Sequence, residues 1–266
     1  MKRGRSELLE ISQAPDLMRL NRYLAQCGLG SRREVEKLIT RGEVRINGAI
    51  VRNLATQVDS GRDEVIVRGE RVRAVTVPMH IMLNKPAGYI TTAEDEAGRQ
   101  KAGRKTIFEL VKHPVRIFPV GRLDRDSEGL LLLTNDGELA YRLTQARFKV
   151  PKVYQVWLDK GLRPAVVSQF RDGILIEETH RVRGELHFPK SNENRFCEVT
   201  IWEGRNRQVR KMFAALGYRV KALQRTQIGP LTLGNLKPGA WRYLTDKEIK
   251  LLKETVRLSD EEIFVG

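Results

Sequence analysis

The chain has 266 residues, enough for one large or two smaller domains with proper cores. Its 48 Lys and Arg against 33 Asp and Glu give a net charge of +15, which favours a polyanionic partner without by itself separating a nucleic acid from a membrane surface. No apolar run approaches the length of a membrane span, and no signal-peptide core is present, so a membrane protein is not expected.

Residues 1–17 are polar and unpatterned apart from Leu8, Leu9 and Ile11, and read as a tail. From Arg19 the pattern changes: Leu20, Tyr23, Leu24 and Cys27 recur at helical spacing, and Gly28-Leu29-Gly30 ends that helix. Ser31-Arg32-Arg33-Glu34 has the spacing of a capping box, so a second helix is expected from Arg32 to Thr40, burying Val35, Leu38 and Ile39. Short strands follow at Val44-Ile46 and Val65-Val67, with Asn47-Gly48 a hairpin turn leading to Ile50-Val51. Arg33 and Lys37 are four apart on one helix face, Arg41 continues the row, and Arg32 lies beside it. Such a row suits phosphates along an RNA backbone; it also reads as a solvated face paired with Glu34 and Glu36. The order of helix, glycine turn, Ser-Arg-Arg-Glu helix and Gly-x-Val-x-x-Asn-Gly resembles the S4 RNA-binding domain, assigned here to residues 18–75. The resemblance implies RNA contact by Arg32, Arg33, Lys37 and Arg41.

Residues 76–79, around Pro78, read as a linker, and a second domain is expected over 80–257, with 258–266 a tail. His80-Ile81-Met82-Leu83-Asn84-Lys85-Pro86 reads as a strand ended by proline, a rigid strand exit. Residues 94–105 hold an imperfect basic repeat, Ala97-Gly98-Arg99-Gln100-Lys101 and Ala102-Gly103-Arg104-Lys105. That loop reads equally as an RNA contact or as a neutral expansion. Further on, Leu130-Thr134, Val153-Leu158, Gly173-Ile176, Val182-Phe188 and Phe196-Trp202 read as strands. Glu138-Leu143, Pro164-Phe170 and Arg207-Leu216 read as helices, and Thr245-Asp246-Lys247-Glu248 opens a last helix with another capping box. Strand runs with intervening short helices indicate an α+β domain with a largely antiparallel sheet.

The most informative segment is Gly121-Arg122-Leu123-Asp124-Arg125-Asp126-Ser127-Glu128-Gly129, which runs into Leu130-Leu131-Leu132-Leu133-Thr134-Asn135-Asp136-Gly137. A carboxylate between two arginines precedes a four-leucine run that reads as a fully buried strand. Paired with a cation, such a carboxylate stays ionised and can act as a nucleophile; on residue type alone the segment reads equally as a surface turn with ordinary ion pairs. Gly-Arg-Leu-Asp followed by Ser-x-Gly-Leu-Leu-Leu-Leu-Thr-Asn-Asp-Gly closely resembles the catalytic motif of bacterial ribosomal RNA pseudouridine synthases, in the branch that carries an N-terminal S4 domain.

Two further motifs extend the resemblance from about Arg19 to about Leu252. Lys152-Val153-Tyr154 resembles the Lys-x-Tyr that carries the family's active-site tyrosine, although an aromatic at this place also reads as ordinary strand packing. Glu203-Gly204-Arg205-Asn206-Arg207-Gln208-Val209-Arg210-Lys211-Met212 resembles a third motif. There Val209, Met212, Phe213 and Leu216 form the buried stripe and Arg210 lies on its margin. The resemblance implies site-specific isomerisation of uridine to pseudouridine in ribosomal RNA: Asp124 acts on the flipped-out nucleotide, Arg210 pairs with Asp124, Tyr154 packs against the uracil, and Arg122 lies near the gap the base leaves. Arg207 and Lys211 are expected to face phosphates or water.

The rival readings are a non-catalytic ribosome-assembly factor with the same fold and a glycosidase using Asp124 with a second acid such as Asp126. The family often has a His-Pro turn where this chain reads Thr144-Gln145-Ala146-Arg147-Phe148-Lys149. Cys27 and Cys197 suggest no disulfide clip, and the four histidines lack metal-ligand spacing. No cofactor and no metal are therefore expected, and the expected setting is a cytoplasmic monomer acting on ribosomal RNA.

Overall fold

The computed structural model describes residues 17–74, 77–92, 104–177, 179–189 and 194–258. The expected tails, apart from Leu17 and Leu258, and most of the basic repeat at 97–105 lie outside the described residues. The chain divides into two compact units between Val75 and Thr76.

The first unit runs β1 (Leu17–Arg19), α1 (Leu20–Gln26), α2 (Arg32–Thr40), β2 (Val44–Ile46), β3 (Ala49–Val51), β4 (Gln57–Asp59), β5 (Val65–Val67) and β6 (Glu70–Arg71). Helix α2 begins where the Ser31 hydroxyl accepts from the Glu34 amide at 3.3 Å and the Glu34 carboxylate accepts from the Ser31 amide at 3.1 Å. That reciprocal cap satisfies two amides that a helix start would otherwise leave without partners. Asn47 and Gly48 take φ of 49° and 84°, the pair of left-handed residues that a tight two-residue hairpin needs. Strands β3-β2-β5-β6 form one antiparallel sheet, and β1 pairs with β4. Leu20, Tyr23, Leu24, Val35, Ile39, Val44, Val58 and Val65 fill the core between helices and strands. Leu38, expected in that core, is only half-buried.

The second unit contains β7 (His80–Lys85), β8 (Phe118–Pro119), β9 (Glu128–Thr134), α3 (Gly137–Thr144), β10 (Lys152–Leu158), α4 (Ala165–Asp172), β11 (Ile174–Ile176), β12 (His180–Val182) and β13 (Glu185–His187). It continues through β14 (Phe196–Ile201), α5 (Gln208–Ala215), β15 (Val220–Ile228), β16 (Leu231–Thr232), β17 (Trp241–Tyr243) and α6 (Asp246–Thr255). The expected strand over Val182–Phe188 is two short strands. Strand β12 pairs with β11, and β13 joins the main sheet on β14, because the chain changes partner between them.

The main sheet has the order β13-β14-β10-β15-β9-β7-β17, with β16 added on β15 and β8 on β9. It is antiparallel except at its centre, where β15 and β9 run parallel with Arg225 opposite Gly129. Alternate residues of β7 and β9 point to opposite faces, as the period of a strand requires. Ile81, Leu83, Leu131 and Leu133 pack with Met212 and Phe213 of α5, while Met82, Leu130 and Leu132 pack with Leu139 of α3 and Leu252 of α6. The four-leucine run is therefore buried from both sides. At about 1.5–3 kcal/mol for each buried leucine, it anchors the strand that follows the Asp124 segment.

Gly129 is the tightest point of the sheet. Its φ is +102°, and a Cβ there would lie 2.2 Å from the Arg225 carbonyl oxygen and 2.7 Å from the Arg225 amide nitrogen, both backbone atoms. Only glycine lets β15 come this close to β9. Gly129→Ala is expected to lower stability by about 3 kcal/mol or more through backbone displacement and left-handed strain. Urea unfolding of the purified variant measures it, and a shift under about 1 kcal/mol would show that β15 can retreat without cost.

Candidate active site

The segment from Gly121 to Ser127 leads into β9 and is tied down from three sides. Lys85, at the end of β7, has no solvent exposure. Its ammonium donates to the backbone carbonyls of Pro86 at 3.1 Å, Asp124 at 3.1 Å and Ser127 at 2.7 Å. Thr91 accepts from the Leu123 amide and donates to the Leu123 carbonyl, and the Gly88 amide donates to Arg125 at 2.7 Å. Burial pulls the Lys85 pKa down to about 8 against the upward pull of Glu128, Asp126 and Asp124. The Asn-Lys-Pro stretch is thus more than a rigid strand exit: its lysine holds the turn that carries Asp124. The sequence signal was a lysine inside an apolar strand, which has no reason to be buried unless something needs its charge.

The charges beside this turn are paired differently from the sequence expectation. Arg210 was expected to face Asp124. Instead it reaches Asp126, with its Nη2 3.2 Å from the Asp126 carboxylate and 3.0 Å from the Asp126 carbonyl, while its Nη1 donates to Val220. The cation beside Asp124 is Arg207, whose Nη1 lies 3.5 Å from Asp124 Oδ2 and 3.1 Å from Asp126 Oδ1. Arg207 precedes α5 with a left-handed backbone, φ 52° and ψ 31°, so it stands off the helix surface on which Arg210 lies. It pairs with the acids while its side chain stays exposed. Burial tends to raise the Asp126 pKa, but the hydrogen bond from Arg207 and the charges of Arg210 and Arg207 outweigh it and hold the carboxyl below its ordinary value.

A cavity of about 220 Å³ opens beside Asp124. Among the described residues its lining carries one acid, Asp124, against five cations: Arg122, Lys152, Arg205, Arg207 and Arg225. Tyr154 lines it as well, 7% exposed, and its hydroxyl accepts from Arg225 Nη1 at 3.3 Å. Arg225 is only 3% exposed and also donates from Nε to the Leu130 carbonyl at 2.8 Å. Sequence reasoning missed Arg225, which meets Tyr154 because β15 pairs with β10. Lys152, read only as part of the Lys-x-Tyr motif, is 8% exposed and has its pKa pulled down to about 8, first by burial and then by the Arg225 charge. Gln208 braces the Glu203–Arg207 turn by accepting from the Arg205 amide at 2.9 Å and donating to Glu203 at 3.2 Å.

The remaining expected RNA contacts separate into two groups. Arg122 is exposed at the cavity, whereas Lys211 is ion-paired with Glu177 rather than facing phosphates or water. In the first unit Arg32, Arg33, Lys37 and Arg41 are all exposed. Arg32 donates to Asn21 at 3.3 Å and Arg41 lies 3.9 Å from Glu43. Glu36, offered by the sequence as a neutralising partner of this row, instead accepts from Asn21 at 2.7 Å. Among the described residues no three His, Cys, Asp or Glu side chains gather into a metal-binding group.

Two measurements follow from the buried lysines. Lys85→Met is expected to cost about 3 kcal/mol, because three backbone carbonyls lose a charged donor, and to loosen the Asp124 turn. Hydrogen exchange of the Ser127 and Gly88 amides together with urea midpoints reads both effects, and unchanged exchange would remove Lys85 from that task. Among the described residues no carboxylate pairs with the buried Lys152 ammonium, so Lys152→Met is expected to be about 1–3 kcal/mol more stable than wild type at pH 7. The folded pKa lies below the ordinary lysine value of 10.5, so between about pH 8 and 10.5 the unfolded chain binds more protons and wild-type stability rises with pH. The advantage of the variant should shrink across that window; a constant gap would mean Lys152 is not depressed.

Comparison with known proteins agrees with this geometry. Residues 79–215 match the RNA pseudouridylate synthase family, and residues 18–65 match the S4 domain. An uncharacterized RNA pseudouridine synthase of Aquifex aeolicus is 41% identical over 243 residues, covering 91% of this chain and 96% of the relative. The ribosomal large subunit pseudouridine synthase B of Bacillus subtilis is 39% identical over 240 residues, covering 88% and 95%. A crystal structure of a pseudouridylate synthase superposes with a TM-score of 0.64 at 32% identity, covering 88% of this chain and 99% of that one. The family match over residues 79–215, the S4 match before it and relatives 39–41% identical over nearly their whole length place this chain in the RNA pseudouridine synthase family, in the branch that carries an N-terminal S4 domain.

Proposed function

We propose that this enzyme isomerises a specific uridine to pseudouridine in ribosomal RNA, with Asp124 as the group that acts on a nucleotide flipped into the cavity. The observation that carries this reading is that, among the described residues, Asp124 is the one acid on the lining, beside Tyr154 and within reach of Arg207. A duplex or stacked uridine cannot present its C1′–N1 bond to that acid, so the base must leave its stack. Arg207 pairs with Asp124 and orients it, the part that the sequence assigned to Arg210. Tyr154 packs against the released ring while it turns to offer C5. Arg122, exposed at the cavity, and the exposed row Arg32, Arg33, Lys37 and Arg41 contact the RNA backbone.

The similarity to the large-subunit enzyme of Bacillus subtilis favours large-subunit RNA as the target. The enzyme acts as a cytoplasmic monomer, with residues 18–75 as the RNA-binding domain and 80–257 as the catalytic one. The glycosidase reading needs a second acid on the cavity, and Asp126 is not on the lining.

Chemical mapping of pseudouridine across both large ribosomal RNAs, in cells with and without the gene, tests the assignment. Loss of one or a few sites is expected, and unchanged maps would sink it. Asp124→Asn should fold, bind RNA and isomerise at least about a thousandfold more slowly in single turnover. Arg207→Ala should slow the same step by about 10- to 100-fold, against under about threefold for Lys211→Ala, whose partner is the exposed Glu177. Equal small effects would remove Arg207 from the site.

A further inference from the structure

We infer that Lys152 and Arg225 form a cationic cradle for the uracil after it has left the sugar, holding the negative charge that the detached base carries on its carbonyl oxygens. The inference rests on reading the cavity as the uridine site, and it names two groups that neither the catalytic motif nor the family match assigns.

Both cations line the cavity, and both are more than nine-tenths buried. Lys152 Nζ donates to the Val150 carbonyl at 3.1 Å. Arg225 spends Nε on Leu130 and Nη1 on the Tyr154 hydroxyl, and its buried Nη2 has no partner among the described residues. Among the described residues no carboxylate lies within ion-pair distance of either side chain. Two like charges are thus buried in one wall with hydrogen bonds but, among the described residues, no counter-ion, an arrangement that opposes folding. A fold-keeping role alone would be met by apolar side chains at both positions.

The position of these charges favours a base over a phosphate. Phosphates of an RNA backbone are met by exposed arginines, and Arg122 and Arg205 are exposed at the same cavity. Lys152 and Arg225 are buried beside Tyr154, the ring proposed to pack against the free uracil. When the C1′–N1 bond breaks, its electron pair leaves on the base and spreads over N1, O2 and O4. The sugar is left electron-poor at C1′, where Asp124 is the carboxylate at hand. After the base turns, C5 supplies the pair for the C5–C1′ bond, C5 gives up its proton and N1 takes one. The sum is an isomerisation that needs no oxidant or co-reactant. Neutral uridine offers the cradle two weak acceptors and the detached anion two strong ones, so the cations favour the state after cleavage over the ground state.

The test uses the full chain with three small probes: uracil, 5-nitrouracil, which is anionic at neutral pH, and inorganic phosphate. Wild type is expected to bind 5-nitrouracil about tenfold or more tightly than uracil, by NMR titration, because a charge-assisted hydrogen bond replaces a neutral one. Lys152→Met should reduce that preference to about twofold or less and Lys152→Arg should keep it, since the latter retains the charge. In single turnover on ribosomal RNA, Lys152→Met should slow isomerisation by about 100-fold while RNA affinity stays within about twofold.

Equal affinity for the two bases, or an unchanged rate in Lys152→Met, overturns the cradle. So does a phosphate that displaces 5-nitrouracil as well as uracil does, or a fall in RNA affinity with a shallower salt slope in the variant; either would mark a phosphate subsite. Wild type that isomerises RNA without an anion preference sinks this inference alone. An anion preference in a chain that isomerises no uridine sinks the proposed reaction and the cradle with it, leaving Lys152 and Arg225 only as an anion-binding pair.

Discussion

The turn that carries Asp124 depends on one buried ammonium. A lysine with no solvent exposure is costly, and Lys85 offsets that cost by donating to three backbone carbonyls at once, two of them in the turn. The arrangement is rigid because its base is rigid. Strands β7 and β9 pair along six residues, from His80 opposite Thr134 to Lys85 opposite Gly129, so the lysine cannot shift without moving two buried strands. A carboxylate set on such a turn keeps its place relative to the cavity without spending its own oxygens on the backbone. Pre-organisation of that kind is what the proposed action of Asp124 on one nucleotide requires.

The second constraint is the parallel crossing of β9 and β15 at Gly129 and Arg225. It brings the Arg225 backbone into contact with the glycine, sets the Arg225 guanidinium under the Leu130 carbonyl and delivers it to Tyr154. One close backbone approach therefore positions the tyrosine's hydrogen-bond partner and leaves a second buried cation beside Lys152. Charge is divided across the site in consequence. The exposed Asp126 gathers Arg207 and Arg210, and among the described residues Asp124 is left as the one acid on a lining that also carries five cations. Removing water from such a lining strengthens every remaining charge interaction within it.

The two units meet RNA with different economies of charge. In the first, Arg33 and Lys37 are exposed on a helix whose acids are engaged in a cap and with Asn21, so its cations remain oriented toward solvent. In the second, several cations are already committed, Lys211 to Glu177 and Arg207 to the two aspartates. Long-range attraction of a polyanion suits the first kind, and discrimination of one nucleotide suits the second.

Much of this was legible in the sequence because it is local. Ser31 with Glu34 and Thr245 with Glu248 form capping boxes, Asn47-Gly48 makes the hairpin, and the four-leucine run is buried on both faces; each depends on residues within a turn or a strand of one another. Asp124 and Tyr154 were legible for another reason, as motifs long enough to be specific, and the cavity holds both. The pairing of the arginines was not legible. Helical spacing ranks Arg210 by its distance from the apolar stripe but says nothing of a left-handed backbone at Arg207, which decides which guanidinium reaches Asp124 across 83 residues of chain. Nor could spacing show that Lys85 clamps a turn 39 residues away, or that Arg225 meets Tyr154 through strand pairing. The sequence by itself determined most of the elements and the family, and it pointed to Asp124 and Tyr154, since these follow from short-range periodicity and motif. The tertiary structure alone decided which charges face one another and which, among the described residues, are buried without a counter-ion, because electrostatic partnership depends on distance in space and on exclusion of water, and neither is written in the order of residues.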